Sequence, residues 1–244
     1  MTYQGLAVLA VVPARGGSKS IPRKNLRVVH GNSLIGHAAS ICRQLDWIDV
    51  AVISTDDEEI AEEAARHGLE KPFLRPPELA DDTALSIDAW RHALLTSEDH
   101  YNQQFDLTVL LEPTSPLRVP EDVERAVAEI ASGKFQAAAT VSKTSPSYTP
   151  HKTLVQSNHG RLKFYLEDGG QYSIRQRIPD YYHRNGICYA LRREALLDPD
   201  NRYIVDYDCC AVVIDRPLVN IDEPFDLELA EWLMARETRK GSFE

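Results

Sequence analysis

The 244-residue chain predicts an α/β fold, a doubly wound and mostly parallel sheet, on three observations. The first is Leu6–Val12, seven consecutive apolar residues. It is too uniformly apolar for a strand with one wet face and reads as buried on both, as parallel strands are. The second is an alternation of short Val/Leu/Ile-rich runs with helical stripes of apolar residues, the pattern of right-handed β-α-β units. The third is the segment after the first strand, Pro13-Ala-Arg-Gly-Gly-Ser-Lys-Ser-Ile-Pro-Arg-Lys-Asn25, a basic, glycine-bearing loop. It hangs from a strand's carboxyl end, where open α/β sheets bind ligands.

Taken in order, the next helix starts at Ser33, its N-cap, and runs to Leu45 with Leu34, Ile35, Ala38, Ile41 and Cys42 on one stripe. Val50–Ile53 is a second buried strand, ending in Ser54-Thr-Asp-Asp57. Those carboxylates either cap the helix 58–66, which Gly68 ends, or reach a ligand; the two roles are compatible. A proline-rich stretch from Lys71 opens a helix near Thr83 that runs towards Thr96. Leu107–Leu111 is a third strand, followed by a loop that two prolines stiffen, Glu112-Pro-Thr-Ser-Pro-Leu-Arg118, and by a helix from Glu121 to Ser132 with Gly133 as its stop. Ala137–Ser142 reads as a strand. From about 143 to 184 the chain turns polar and aromatic, with strand-like pieces at Leu162–Leu166 and around Ile174. This stretch has too little apolar mass for a core of its own, so it reads as a β-rich insertion in one domain spanning 1–244. Ile187–Leu191 and Leu218–Asp222 read as the last strands, and Leu227–Met234 as the closing helix.

Composition narrows the function. A net charge of -10 argues against nucleic acid or an anionic membrane as the main partner. Against that global sign, basic residues gather at 15–27 and 175–193. The four cysteines, Cys42, Cys188, Cys209 and Cys210, have neither metal spacing nor a disulfide framework, and read as reduced core residues. His151, His159 and His183 match no ligand spacing. With no leader-like segment and no apolar run long enough for a span, the expectation is a soluble, cytoplasmic protein.

The loop chemistry is that of a polyphosphate site. Arg15, Lys19, Arg23 and Lys24 supply charge, and Gly16 and Gly17 let backbone amides approach a ligand. A Walker loop is excluded, because Ser18 precedes Lys19 where glycine is required and Pro22 blocks the immediate helix. The dinucleotide fingerprint fails for want of a third glycine opening a helix.

Ala14-Arg-Gly-Gly-Ser-Lys-Ser-Ile-Pro-Arg-Lys-Asn-Leu26 resembles the signature of the CMP-N-acetylneuraminic acid synthetase (acylneuraminate cytidylyltransferase) family over thirteen positions. The resemblance continues in order to about residue 231, through Arg75-Pro-Pro-Glu-Leu-Ala80, the Pro-Thr-Ser-Pro-Leu-Arg string and the Arg175-Gln…Tyr182…Asn185-Gly pattern. It implies transfer of a cytidylyl group from CTP to a nonulosonic acid, with Mg²⁺ as cofactor and a homodimer as the assembly.

By that resemblance, Ala14 to Lys19, Lys24 and Asn25 form the nucleotide site. Arg15 and Lys24 act on the phosphates, with Lys24 at the α-phosphoryl transition state. Lys19 and the amides of Gly16, Gly17 and Ser18 cradle the β- and γ-phosphates, and Asn25 meets the nucleoside. Arg75, Ala84 and Ser86 contact the base. Glu112, Arg175, Gln176, Tyr182 and Asn185 face the sugar, where an Arg fork suits a carboxylate and a Gln amide suits hydroxyls. Asn220 and Asp222 stand where the family carries an Asp-Ile-Asp pair for Mg²⁺, and Asp226 either completes the ligand set or caps the closing helix. Two departures are visible: Glu112 replaces a frequent Gln, losing a donor, and Asn220 replaces a charged ligand. Other readings are a 3-deoxy-manno-octulosonate cytidylyltransferase, whose first loop differs, a transferase for another nucleotide such as GTP, and a catalytically silent binding subunit. Which nonulosonic acid is used is not legible in the sequence.

Overall fold

The computed structural model describes residues 2–172, 174–205 and 208–241. Strands are β1 (Val8–Pro13), β2 (Val28–Val29), β3 (Asn32–Ser33), β4 (Val50–Ser54), β5 (Leu107–Leu110), β6 (Ala137–Lys143), β7 (Leu154–Gln156), β8 (Leu162–Phe164), β9 (Tyr182–Arg192) and β10 (Cys209–Val213). Helices are α1 (Leu34–Gln44), α2 (Glu58–Arg66), α3 (Ser86–Tyr101), α4 (Pro120–Ala131), α5 (Arg193–Leu197) and α6 (Pro224–Gly241). Six strands make the central sheet in the order β10-β6-β9-β5-β1-β4.

β1 lies between β4 and β5, parallel to both, as the uniformly apolar run predicts. Its first five residues are fully buried. The sheet is mixed, however: β9 runs antiparallel to β5, pairing Leu107 with Arg192 and Leu110 with Tyr189. Around β1 a core gathers Leu9, Val11, Val52, Trp90, Leu94, Phe105 and Leu110. Thr108 sits fully buried in this apolar setting because its hydroxyl accepts the Trp90 indole N–H at 2.8 Å. A second core holds Ile21, Val29, Leu34, Leu117, Val219, Ile221, Ala230 and Leu233.

Packing divides the chain into two units, Met1–Thr140 with Asn185–Val212 and Arg216–Glu244, and Val141–Arg184 with Val213–Asp215. The smaller contains the β7–β8 hairpin, two 3-10 turns at Gly169–Gln171 and Arg175–Arg177, and a buried His151 that packs on Tyr172 and meets the Tyr181 hydroxyl at 3.1 Å.

Helix ends follow local chemistry. Ser33 caps α1 by accepting from the Gly36 amide, and Asp57 caps α2 by accepting from Ile60. Gly68 and Gly133, at φ 85° and 75°, supply the left-handed turns after α2 and α4.

Four readings of the sequence need correction. Leu218–Asp222 forms no strand; it is an extended segment whose apolar Val219 and Ile221 plug the second core, and side-chain burial there mimics strand alternation. The last strand is instead β10, at Cys209–Val213, so Cys209 and Cys210 lie half-buried in a sheet strand while Cys42 and Cys188 are core residues. Ile174 flanks a 3-10 turn and belongs to no strand. α3 begins at Ser86, because Asp81 draws the Thr83 and Ala84 amides into a turn of its own, and α6 extends well beyond Met234.

Candidate active site

The basic loop leaves β1 at its carboxyl end and is anchored along its length. The Ala14 amide donates to Ser54 O at 2.9 Å, continuing the β1–β4 ladder one residue past the strand. The Gly16 amide donates to Asp56 Oδ1 at 2.9 Å. A Cβ on Gly16 would lie 2.7 Å from Asp57 Oδ2, so glycine permits this close approach. Ile21 then turns into the second core, 2% exposed, which explains one apolar residue in an otherwise polar loop. Arg23 takes a left-handed conformation, φ 56°, unusual for a residue with a Cβ. Its guanidinium meets Asp57 at 2.6 Å and also Glu59, fixing the backbone that leads into a 3-10 turn over Lys24–Leu26. A short β2–β3 hairpin follows before α1.

That turn sets Lys24 and Asn25 on the wall of a cavity of about 410 Å³. Lys24 Nζ donates to Ile221 O at 2.9 Å and Asp222 Oδ1 at 3.1 Å, while the buried Asn25 amide donates to Arg15 O at 3.1 Å. The other walls are Arg15, Arg75, Leu79, Asp81, Asp82, the 84–86 turn, Ala89, Glu112–Thr114, Asn220 and Asp222. Arg75 is 7% exposed and donates to the Ser54 hydroxyl and carbonyl. Burial, more than the opposing pull of Asp56, brings its pKa down to about 10. Hydrogen bonds from Thr83 and Ala84 hold the Asp81 carboxyl below its ordinary range.

Glu112–Thr114 is held from behind by Arg118, which is 5% exposed. Its guanidinium donates to the carbonyls of Glu112 at 2.7 Å, Gly186 at 3.0 Å and Ile187. Gly186 has φ 69°, and a Cβ there would lie 2.5 Å from both Glu112 Oε2 and Ser115 Oγ. From Ser115 a polar chain crosses the site: its hydroxyl reaches Asn185 O at 2.9 Å and Asn220 Oδ1 at 3.3 Å, and Asn220 Nδ2 reaches Asp222 Oδ2 at 3.2 Å.

Of the residues expected at the site, Arg15, Lys24, Asn25, Arg75, Ala84, Ser86, Glu112, Asn220 and Asp222 share this cavity. Ala14, Gly16, Gly17, Ser18 and Lys19 lie outside its lining, and Ala14 is 1% exposed with its amide already spent on the sheet. The Ala84 amide donates to Asp81, so that N–H is not open to a ligand. Asn185, expected to face sugar, is 5% exposed, and its Oδ1 accepts from Thr140 Oγ1 at 2.8 Å and from the Ile187 amide. Its oxygen thus holds the β9 backbone at Ile187. Asp226 does not reach the cavity: its Oδ2 accepts the amides of Asp222 and Glu223 at 2.9 and 2.8 Å, capping α6. Arg175 and Gln176 line a separate cavity of about 520 Å³ within the smaller unit, with Lys143, Thr144 and Tyr181; Tyr182 is not part of that lining. Sequence reasoning missed Asp81 and Asp82, whose signal was a pair of adjacent carboxylates just ahead of α3. It also missed Ser115 and Arg118, polar residues in a proline-stiffened loop.

As to metal, no group of three or more His, Cys, Asp and Glu side chains suited to hold an ion occurs among the described residues. Asp222 offers one exposed carboxylate, to which Asn220 presents its Nδ2 while its carbonyl oxygen accepts from Ser115. That set fits Mg²⁺, which takes one or two protein carboxylates together with substrate phosphates. No helix among the described residues is long and apolar enough to cross a membrane.

A cationic loop opposite a carboxylate, at the carboxyl ends of an open, mostly parallel sheet, defines a nucleotide-handling α/β protein of the nucleotidyltransferase type. The chain belongs to the cytidylyltransferase family, whose model matches residues 9–233. It is 32% identical over 235 residues to the CMP-N,N'-diacetyllegionaminic acid synthase of Legionella pneumophila, spanning 94% of this chain and 97% of that protein. It is 33% identical over 229 residues to the pseudaminic acid cytidylyltransferase of Campylobacter jejuni, spanning 92% and 95%. With the N-acylneuraminate cytidylyltransferase of Escherichia coli it shares 26% identity over 96% of this chain and 53% of that longer protein. Among solved structures, CMP:2-keto-3-deoxy-manno-octonic acid synthetase complexed with CTP superposes with a TM-score of 0.67 at 20% identity, covering 95% of this chain and 99% of that one. At that identity the likeness concerns the fold.

Proposed function

We propose that this chain activates a nonulosonic acid with CTP, giving the CMP-sugar and pyrophosphate. The observation that carries the reading is the convergence of Arg15, Lys24 and Asp222 on one cavity beside β1 in a member of the cytidylyltransferase family. The sugar's anomeric hydroxyl attacks the α-phosphorus in line and pyrophosphate departs, so the protein's work is positioning and charge neutralisation. Lys24 leaves Asp222 to meet charge developing on the α-phosphoryl oxygens, an interaction made mainly in the transition state. Arg15, with Lys19 at the rim, takes the β- and γ-phosphates. Arg75 and Ser86 read the pyrimidine edge, with Ala84 contributing its carbonyl. Asn25 braces the loop through Arg15 O, beside the nucleoside. Mg²⁺ would supply charge neutralisation at the phosphates, and Asp222 would hold it, with Asn220 adjacent.

Residues 143–184 form a sugar-binding and dimer-forming segment of a single cytidylyltransferase domain, where Arg175, Gln176 and Tyr182 meet the carboxylate and hydroxyls of the sugar. The assembly is a twofold homodimer in the cytoplasm; sedimentation at micromolar concentration reads the stoichiometry directly. The catalytic reading is tested by pyrophosphate release with Mg²⁺, crossing four nucleoside triphosphates against legionaminic, pseudaminic and N-acetylneuraminic acids and a 3-deoxy-octulosonic acid. Release with CTP and one nine-carbon acid is expected. Release only with the eight-carbon acid, or silence with every pair, would reject it.

A further inference from the structure

Asp82 occupies an unusual place. Its Oδ1 meets Arg15 Nη2 at 3.0 Å and its Oδ2 meets Lys19, so one carboxylate bridges the two cations that the reading above gives to the outer phosphates. The other arm of Arg15, Nη1, donates to the carbonyl of Asp81 at 2.9 Å. The guanidinium is therefore turned wholly towards the 80–82 segment. Arg15 and Asp82 both line the cavity, so an anion that takes the Nη2 arm of Arg15 from inside competes with Asp82 for it.

The carboxylate is also held in place. Asp81 Oδ1 accepts from the Thr83 amide and hydroxyl and from the Ala84 amide, at 2.7 to 2.8 Å, which locks the 81–84 turn and sets the direction of Asp82. The charged groups facing it are Lys19 and Arg15, and both hold it ionised, below the usual carboxylate range. A carboxylate in a two-oxygen bridge between an arginine fork and an ammonium reproduces the contacts of a phosphate's oxygens.

We propose that Asp82 is an internal stand-in for the outer phosphates, competing with the ligand for Arg15 and Lys19 and so setting how much charge a nucleotide must bring. This rests on the reading of the cavity as a CTP site. A triphosphate offers several oxygens and can displace a single carboxylate from both cations at once; a monophosphate cannot reach both. Once displaced, Asp82 is a like charge near the phosphates, which penalises ligands that gain too little from the exchange. The residue thus tempers the grip on the outer phosphates, and on the pyrophosphate they become, by the worth of the two ion pairs it gives up, and leaves a ligand that does not reach Arg15 and Lys19 unaffected.

The test is calorimetry without divalent cation, titrating inorganic tripolyphosphate, CTP and CMP into the full chain, Asp82→Asn and Asp82→Glu. Asp82 is about half exposed, so the variants keep the wild-type melting temperature. Asp82→Asn should bind tripolyphosphate and CTP roughly three- to tenfold tighter, the worth of two exposed ion pairs. CMP should be unaffected, and Asp82→Glu should resemble the parent. Unchanged tripolyphosphate binding, weaker binding, or an equal gain for CMP would overturn the proposal. Tighter tripolyphosphate binding in a protein that ignores CTP would sink the cytidylyl reading while leaving the role of Asp82 standing.

Discussion

Replacing Arg118 with methionine removes a buried charge and its hydrogen bonds while keeping the volume roughly constant. Three carbonyls lose a donor, but not equally. Glu112 O also accepts the Ser115 amide at 3.2 Å and keeps that partner. Gly186 O and Ile187 O each lose the guanidinium in a setting where Arg118 is 5% exposed. A hydrogen bond from a charged donor is worth about 1.5–3 kcal/mol, so losing two costs about 3–6 kcal/mol, with about 4 as the working value. Burial already pushes the Arg118 pKa below its ordinary value, a sign that the charge is expensive in place. Relief of that cost offsets part of the loss. For a chain of this size each kcal/mol moves the melting temperature by about 2–4 °C, which predicts a fall of about 8–16 °C. Differential scanning calorimetry at pH 7 reads it, with Arg118→Lys as an intermediate control. A fall under about 3 °C would show that water or a shifted backbone serves those carbonyls, and the view of Arg118 as the clamp of the Glu112–Thr114 wall would be wrong.

Three further outcomes are expected. Lys24→Ala should lower kcat by about two to three orders of magnitude while CTP affinity falls far less; an equal loss in both, read by single-turnover kinetics and calorimetry, contradicts a transition-state role. Gly16→Ala forces a Cβ to within 2.7 Å of Asp57 Oδ2, so the loop must shift, and the KM for CTP should rise about tenfold with little change in melting temperature. Glu98 is raised by burial, but the Arg193 fork at 2.7 and 2.9 Å and the Phe105 amide outweigh this and hold it below its ordinary value. A depressed carboxylate adds stability above its unfolded pKa, near 4.3, and loses it as pH falls through the folded value. Glu98→Gln should therefore be less stable than wild type at pH 7, and the gap should close below about pH 4 in urea titrations.

The strand–helix alternation was legible because buried parallel strands leave continuous apolar runs, as Val8–Val12 does without interruption and Leu107–Leu110 with Thr108 as its one polar residue. β10 was not: with Cys209 and Cys210 half-buried and Ala211 exposed, it has no uniform pattern. The antiparallel sense of β9 is a property of pairing, set by its partner β5, and no periodicity encodes it. In the site, Arg15 and Lys24 announced themselves by charge density in a loop. The burial of Asn185 was hidden because a buried amide that holds neighbouring backbone and an exposed amide look alike in a string of letters. Asp82 was hidden for a different reason: its meaning depends on Arg15 and Lys19, more than sixty residues away.

The basic loop is electrically quiet at rest. Arg15 and Lys19 lean on Asp82, Arg23 on Asp57 and Glu59, and Lys24 on Asp222. With these four cations already matched and a net charge of -10 around them, the described residues of the loop make no positive funnel to draw a polyanion from a distance. Its nucleotide arrives against the field and meets attraction only after contact, as carboxylates and phosphates trade places. Capture should then quicken with added salt, which screens the long-range repulsion beyond about 8–10 Å, the reverse of the behaviour of proteins that steer their anions in.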